Sequence, residues 1–303
     1  MDDDRPALLL SFDVEDWHQL VHRRYGREDW DRRHPAFERQ VRTILALLDE
    51  LGARATFFVL GVTAARYPDV VAGIADRGHE IACHGYAHTR VYDQTREEFH
   101  ADVAQAVETI TDATGRRPLA YRAPAFSINR RTPWAYDVLA ELGFRCDSSQ
   151  HDSPRIPDRI TPVPAEPFRL ELAGGGELWE LPIPVWRRVP IGGGSYWRVL
   201  PGPVLRRGLA DLHRRTSYPV LYFHPYEFDP EPLRATLPSP SPRQRLAAAG
   251  KTLWRNAGRP LVARRLRNIA VHNRLLSYDE AYDDIARHYG TRSRALSPEG
   301  VLV

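Results

Sequence analysis

Ala7-Leu-Leu-Leu-Ser-Phe-Asp-Val-Glu-Asp16 decides how this chain is read: a short apolar run passes without a break into three carboxylates. A continuous apolar run of this length predicts a strand buried on both faces, as in a parallel sheet. Working outward, the same kind of segment returns at Ala55-Thr-Phe-Phe-Val-Leu60, Glu80-Ile-Ala-Cys-His84, Leu119-Ala-Tyr-Arg-Ala123, Phe144-Arg-Cys-Asp-Ser148 and Pro219-Val-Leu-Tyr-Phe223. Between them lie helical stretches. Phe37 to Leu51 has Val41, Ile44, Leu45 and Leu48 at helical spacing and Gly52 as its stop. Further helices are predicted over 62–76, from Thr95 to Thr114 before Gly115, and from Thr132 to Leu142 with Pro133 in the first turn. Strand alternating with helix predicts parallel βα units, an α/β fold.

Elsewhere the pattern is weaker. Residues 17–34 are charged and aromatic without a period and read as a loop. From 152 to 200 prolines and the triplets Gly174-Gly-Gly176 and Gly192-Gly-Gly194 separate short β-like pieces such as Leu178-Trp-Glu-Leu181. A helix is predicted over 203–215, and after Pro242 the chain reads as helical and basic.

Composition narrows the class. The 303 residues are 43% hydrophobic and 27% charged, which excludes wholesale disorder. No run approaches the ~18 apolar residues of a membrane-spanning helix. Met1-Asp-Asp-Asp-Arg5 lacks the pattern of a secretory signal, and Cys83 and Cys146 make no disulfide framework, so the expectation is a cytoplasmic protein. A net charge of +3 gives no reason to expect nucleic acid, and nothing in the sequence bears on oligomeric state. Residues 241–276 nevertheless carry nine basic side chains and no acid. That stretch reads either as a solvated face or as a contact with an anionic surface, such as the inner membrane face or an acidic polysaccharide.

The polar residues that follow the apolar runs are the chemical signal. The first run delivers Asp13, Glu15 and Asp16, the third His84 with His88 four residues on, the fourth Arg122, and the last His224. Parallel strands put their C-terminal ends on one rim, so acid, imidazole and guanidinium groups converge on one mouth. Two imidazoles four apart can reach one metal from a helical turn, and a carboxylate from a neighbouring strand completes a catalytic set with open positions. In an extended segment Asp13 and Glu15 point to one side, and Asp16 joins them only if the chain turns.

In combination these residues resemble the polysaccharide deacetylases, the NodB-homology domains of carbohydrate esterase family 4. Five blocks match in order: Ser11 to Asp16; His84-Gly-Tyr-Ala-His88; Arg122-Ala-Pro-Ala-Phe126; Cys146-Asp-Ser-Ser149 with Leu178-Trp-Glu-Leu-Pro182; and Tyr222-Phe-His-Pro-Tyr-Glu-Phe-Asp229. Phe-Asp-Val-Glu-Asp-Trp17 and Thr56-Phe-Phe-Val-Leu-Gly61 look like the branch of exopolysaccharide deacetylases associated with exosortase systems. The resemblance implies a distorted, incomplete (β/α) barrel over 6–230, with a basic, mostly helical C-terminal extension over 231–303 packed on it.

It also implies one divalent metal, usually zinc, with cobalt, nickel or manganese as substitutes. His84 and His88 are then ligands, Asp13 the base, Arg122 its orienting partner and His224 the general acid. The first block departs from the common pattern. Glu15 keeps the Asp-x-acid spacing and is favoured as the carboxylate ligand, with Asp16 open. Gly85 stands where many members have Ser or Thr. Trp17, Pro124, Trp179 and Tyr196 are candidate substrate contacts, and aromatics of this kind are otherwise core packing. The implied reaction is hydrolysis of an N-acetyl amide on an acetylated saccharide, polymeric or lipid-linked. Two alternatives stand beside it: hydrolysis of a small cyclic amide or imide by the same constellation, and an inactive saccharide-binding module.

Overall fold

In the computed structural model, which describes residues 4–18, 32–151, 153, 157–172, 175–233, 241–297 and 301–302, β1 (Ala7–Val14) is buried along its whole length. It pairs in parallel with β2 (Thr56–Val59) on one side and β8 (Val220–Phe223) on the other. The sheet continues from β2 through β3 (Glu80–Cys83), β4 (Ala120–Tyr121) and β5 (Cys146–Asp147), all parallel. It then passes to β7 (Glu177–Glu180), parallel to β5, and to β6 (Phe168–Glu171), which is antiparallel to β7. Among the ladders between described strands this hairpin alone is antiparallel, where the glycine-rich stretch interrupts the βα rhythm. The sheet is open rather than closed into a full barrel.

Helices cover the outer face: α1 (Pro35–Leu51), α2 (Gly61–Arg66), α3 (Pro68–Asp76), α4 (Arg96–Thr114), α5 (Ala135–Glu141), α6 (Gly194–Val199) and α7 (Gly202–His213). The single helix expected over 62–76 is two, because Pro68 cannot donate its backbone N–H and starts a new helix at its first position. Elsewhere the sequence signals hold: Gly52 ends α1 at φ 57°, and Thr95 and Glu98 form the capping box of α4. The loop expected over 17–34 lies mostly outside the described residues, as does Gly174.

Alternation along β1 sorts its side chains between two cores. Leu8, Leu10, Phe12 and Val14 join the larger one with α1 and α4 residues such as Phe37, Ile44 and Phe99. Leu9 faces the other way, into a cluster with Phe58, Ala82, Trp179, Tyr278 and Ile285. Ser11 and Asp13 continue the Leu9 face toward the C-terminal rim.

The C-terminal part is more than a helical layer. Helices α8 (Pro242–Asn256) and α9 (Pro260–Ala270) are followed by β9 (Arg274–Leu276), which adds to β1 in parallel. Helix α10 (Tyr278–Tyr289) then fills the Leu9 side of the sheet, and β10 (Ser293–Ala295) pairs with β6. Residues from 241 on therefore supply both strand and core to the body of the fold.

Candidate active site

The rim predicted from the strand exits is present. Moving across the sheet, β8 ends in His224, β1 in Asp13 and Glu15, β3 in His84, β4 in Arg122 and β5 in Ser148. At the end of β2 stands Gly61, whose hypothetical Cβ would fall 2.3 Å from Tyr86 Cδ2, so only glycine lets the His84 loop lie over it.

Three side chains meet as a potential metal centre. Glu15 Oε1 lies 3.1 Å from His84 Nε2 and 2.8 Å from His88 Nε2. One donor atom from each of the three falls within 4.8 Å of the others. The pair His84 and His88 does not sit on a helical turn, as the spacing had suggested. The segment is a loop, with Gly85 at φ 75° and His88 itself at φ 57°, and this left-handed path brings both rings onto Glu15. It also accounts for glycine at position 85: a Cβ there would strain the backbone and approach Asp102 Oδ2 to 3.0 Å.

The donor chemistry fits a divalent cation. His84 Nδ1 is 2.7 Å from the Arg122 carbonyl oxygen, which can only accept, so Nδ1 carries the proton and Nε2 turns its lone pair to Glu15. With that tautomer, Nε2 and Oε1 are two acceptors at 3.1 Å, an arrangement that a cation between them satisfies. Two imidazoles and one carboxylate are a known catalytic donor set. Burial alone would raise the Glu15 carboxyl, but the charge and contact of His88 and the charge of His224 outweigh it and hold it well below the carboxylate range.

Beside this centre Arg122, fully buried, spends its donors on four acceptors. Nη1 reaches Asp13 Oδ1 at 2.6 Å, Nε the Ser148 carbonyl at 3.0 Å, and Nη2 both Ser148 Oγ at 3.0 Å and the Tyr278 hydroxyl at 2.7 Å. Its guanidinium carbon sits 4.1 Å from the Phe58 ring centroid. With the guanidinium so fixed, Oδ1 of Asp13 is held and Oδ2 is the oxygen left for proton transfer. His224 Nε2 lies 3.8 Å from Glu15 Oε2, and its Nδ1 lies 3.7 Å from Glu227 Oε2. Burial would lower its pKa; Glu227, Glu15 and Asp13 together raise it and favour the imidazolium.

The remaining expectations separate. Asp16 turns away from the cluster: it accepts from the Tyr67 hydroxyl at 2.8 Å and the His18 backbone N–H at 2.9 Å, so it organises the chain after β1. Trp179 is a correction as well. It is 5% exposed and packed in the Leu9 core with Cys146 as its register partner, a core tryptophan rather than a surface for sugar. Trp17 is buried against Tyr226 and Leu233, and its indole Nε1–H has no hydrogen-bond partner among the described residues. Pro124 starts the short helical turn Pro124–Phe126 and packs 3.6 Å from the Cβ position of Gly85. Tyr196 is half-buried on α6.

The sequence reading missed three groups. Tyr278 lies in a helix that is polar overall, with no pattern pointing it at Arg122. Glu227 and Arg198 form a buried ion pair at 3.0 Å behind His224, from segments without a shared motif. Gly194 is needed there, since a Cβ would come 2.0 Å from Glu227 Oε2.

A sheet of mostly parallel strands thus carries, at one rim, a carboxylate–imidazole cluster and an Arg-held aspartate. Residues 5–146 match the polysaccharide deacetylase family, and residues 149–271 match a family described only as a domain of unknown function, DUF3473. The polysaccharide deacetylase match thus covers the first part of the chain, just under half of its length. Chitin deacetylase 1 of Saccharomyces cerevisiae is 37% identical over 87 residues, 28% of this chain and 29% of that protein. A peptidoglycan deacetylase of Helicobacter pylori is 30% identical over 106 residues, 35% of each. The matched segment thus spans about a third of these curated relatives. Among solved structures, a Mycobacterium smegmatis protein provisionally described as a polysaccharide deacetylase aligns over 95% of this chain and 93% of its own, with TM-score 0.65 and 23% identity. PuuE allantoinase aligns over 94% and 90%, with TM-score 0.59 and 17% identity. At these identities the structures establish a shared fold.

Proposed function

We propose that this chain is a metal-dependent hydrolase that removes N-acetyl groups from an amino-sugar polysaccharide or its lipid-linked precursor. The observation that carries the reading is the joint placement of Glu15, His84 and His88 beside an aspartate locked by Arg122. Glu15, His84 and His88 would hold one divalent ion, zinc by the donor set. When bound, such an ion supplies Lewis acidity at the acetyl carbonyl and makes water more acidic.

This chain's own residues do the rest. Asp13, its Oδ1 fixed by Arg122, takes the proton of the attacking water at Oδ2. His224, kept protonated by Glu227 and Glu15, delivers its proton to the departing amine. Acetate and a free amino sugar leave. Tyr196, half-buried on α6, supplies an aromatic edge for the sugar. Chitin and peptidoglycan deacetylases among the relatives support an N-acetylglucosamine-like unit. The likeness of Phe-Asp-Val-Glu-Asp-Trp17, Thr56-Phe-Phe-Val-Leu-Gly61 and His-Pro-Tyr-Glu-Phe-Asp229 to exopolysaccharide deacetylases supports an exopolysaccharide as the polymer.

The test offers the ion-loaded chain N-acetylglucosamine oligomers and, separately, a cyclic ureide such as allantoin. Acetate release from the oligomer with no ring opening is expected. Ring opening without acetate release would transfer the site to small cyclic amides. Inertness toward both, with ion bound, would leave a saccharide-binding module.

A further inference from the structure

The described residues expose few large apolar side chains, and three of the four that are more than half exposed, Leu246, Leu253 and Trp254, at 77%, 75% and 54%, lie on α8. Leu246 and Leu253 are seven apart and share a helix face, with Trp254 at its edge. The sequence of α8 adds Arg243, Arg245, Lys251 and Arg255 and no acid. The wider basic stretch does not act as one face, because the structure uses much of it internally. Arg259 donates to the carbonyls of Asp229 and Glu231, Arg265 to that of Trp197, Arg267 pairs with Glu50 at 2.7 Å, and Arg274 donates to the Arg5 carbonyl at 3.1 Å. On α8 the apolar residues Leu246, Leu253 and Trp254 are exposed, and so are Arg243 and Arg245 on the same helix.

This helix is tied to the mouth of the site. Arg255 Nη1 donates to the Tyr226 hydroxyl at 2.7 Å, and the Tyr226 ring lies 5.2 Å from that of His224. Arg198 Nη1 donates to the carbonyls of Trp254 and Arg255, both at 2.8 Å, while its Nε holds Glu227 behind His224. Whatever rests on α8 therefore rests beside the rim.

We propose that α8 docks on an anionic lipid surface, with Leu246, Leu253 and Trp254 entering the headgroup boundary and the arginines on lipid phosphates. Charge complementarity selects the occupant. A second copy would set the same cations against each other. A hydrated acidic polysaccharide would satisfy the arginines but bury neither leucine. An anionic bilayer serves both, as it does for basic amphipathic helices generally. The docking does not depend on the deacetylase reading, because binding is measured without turnover.

The experiment co-sediments the full chain with vesicles of phosphatidylcholine alone or mixed with phosphatidylglycerol. It is run at ~0.1 M and ~1 M salt, across which the Debye length falls from ~10 Å to ~3 Å. Binding is expected on the phosphatidylglycerol vesicles only, falling at least ~10-fold at high salt. The double variant Leu246→Asp with Leu253→Asp should lose at least ~10-fold in binding while its circular dichroism and its hydrolysis of a soluble substrate stay as in the wild type. Tryptophan emission should shift to the blue on those vesicles, and the shift should vanish in Trp254→Phe. Equal sedimentation with both vesicles, none with either, or binding that the double variant retains, on lipid or on a soluble acidic polysaccharide, would overturn the proposal.

Discussion

Arg122 joins the two halves of the site. Its backbone carbonyl fixes the tautomer of His84, and its side chain fixes Asp13, so one residue orients both a proposed ion ligand and the proposed base. The guanidinium is in turn held by the Tyr278 hydroxyl. A hydrogen bond to a charged group contributes roughly 1.5–3 kcal/mol. Tyr278→Phe should therefore lower kcat by about 10-fold or more, leaving KM for an acetylated oligomer and the ion content unchanged. Steady-state kinetics with elemental analysis reads this; an unchanged kcat would remove Tyr278 from the machinery. Gly194 is a second residue with a sharp expectation. A methyl there meets Glu227 Oε2, so Gly194→Ala should push the carboxylate off Arg198 and cost about 1–3 kcal/mol, measured by thermal unfolding.

At the scale of elements, α10 is pinned at its N-terminus by a carboxylate from the sheet. Glu80 Oε2 accepts from Thr56 Oγ1 at 2.6 Å and from the backbone N–H groups of Tyr278 and Asp279, both at 3.0 Å. Burial, followed by the nearby Asp279 charge, pushes the Glu80 carboxyl up to about 7. Its proton is held more tightly in the folded chain than in the unfolded one. The stability it contributes is thus complete below the ordinary value of 4.5 and is lost as pH rises through about 7. Glu80→Gln keeps an acceptor for Tyr278 and cannot ionise, so it should flatten the loss of stability between about pH 5 and about pH 8 in urea unfolding. A slope equal to that of the wild type would assign the dependence elsewhere.

The same elements show what the sequence made legible. Apolar runs followed at once by Asp13, His84, Arg122 and His224 placed the rim, because parallel strands leave no other end for those side chains. The outer helices were legible through Gly52, Gly115 and their apolar spacing. The pieces that were not legible lack a local signature. Strand β9 is three residues long and pairs with Ala7, Leu8 and Leu9, the start of β1 that β2, paired with Ser11 to Val14, leaves uncovered. Trp179 read as a ligand surface because a tryptophan in a short β-like segment does not announce which face is buried. Asp16 was left open beside Glu15; past the end of β1 the chain turns, with the Glu15 N–H on the Asp13 carbonyl, and Glu15 meets the imidazoles while Asp16 meets Tyr67.

For the whole molecule, the C-terminal segment completes the fold that carries the site. β9 extends β1, α10 fills one side of the sheet, and Tyr278 reaches Arg122. A chain ended after residue 230 loses all three. It should show neither a cooperative thermal transition nor bound ion; a stable, active fragment would mean that residues 6–230 stand alone. The central claim is that Glu15, His84 and His88 hold an ion that Asp13 needs for hydrolysis. Metal content and acetate release, measured together on the wild type and on Glu15→Gln, Asp16→Asn and Asp13→Asn, test it most directly. The account predicts about one divalent ion per chain and acetate release in the wild type. It predicts loss of both in Glu15→Gln, retention of the ion in Asp16→Asn, and retained ion with at least ~10²-fold slower release in Asp13→Asn. Full ion occupancy in Glu15→Gln, or ion loss in Asp16→Asn instead, would contradict it.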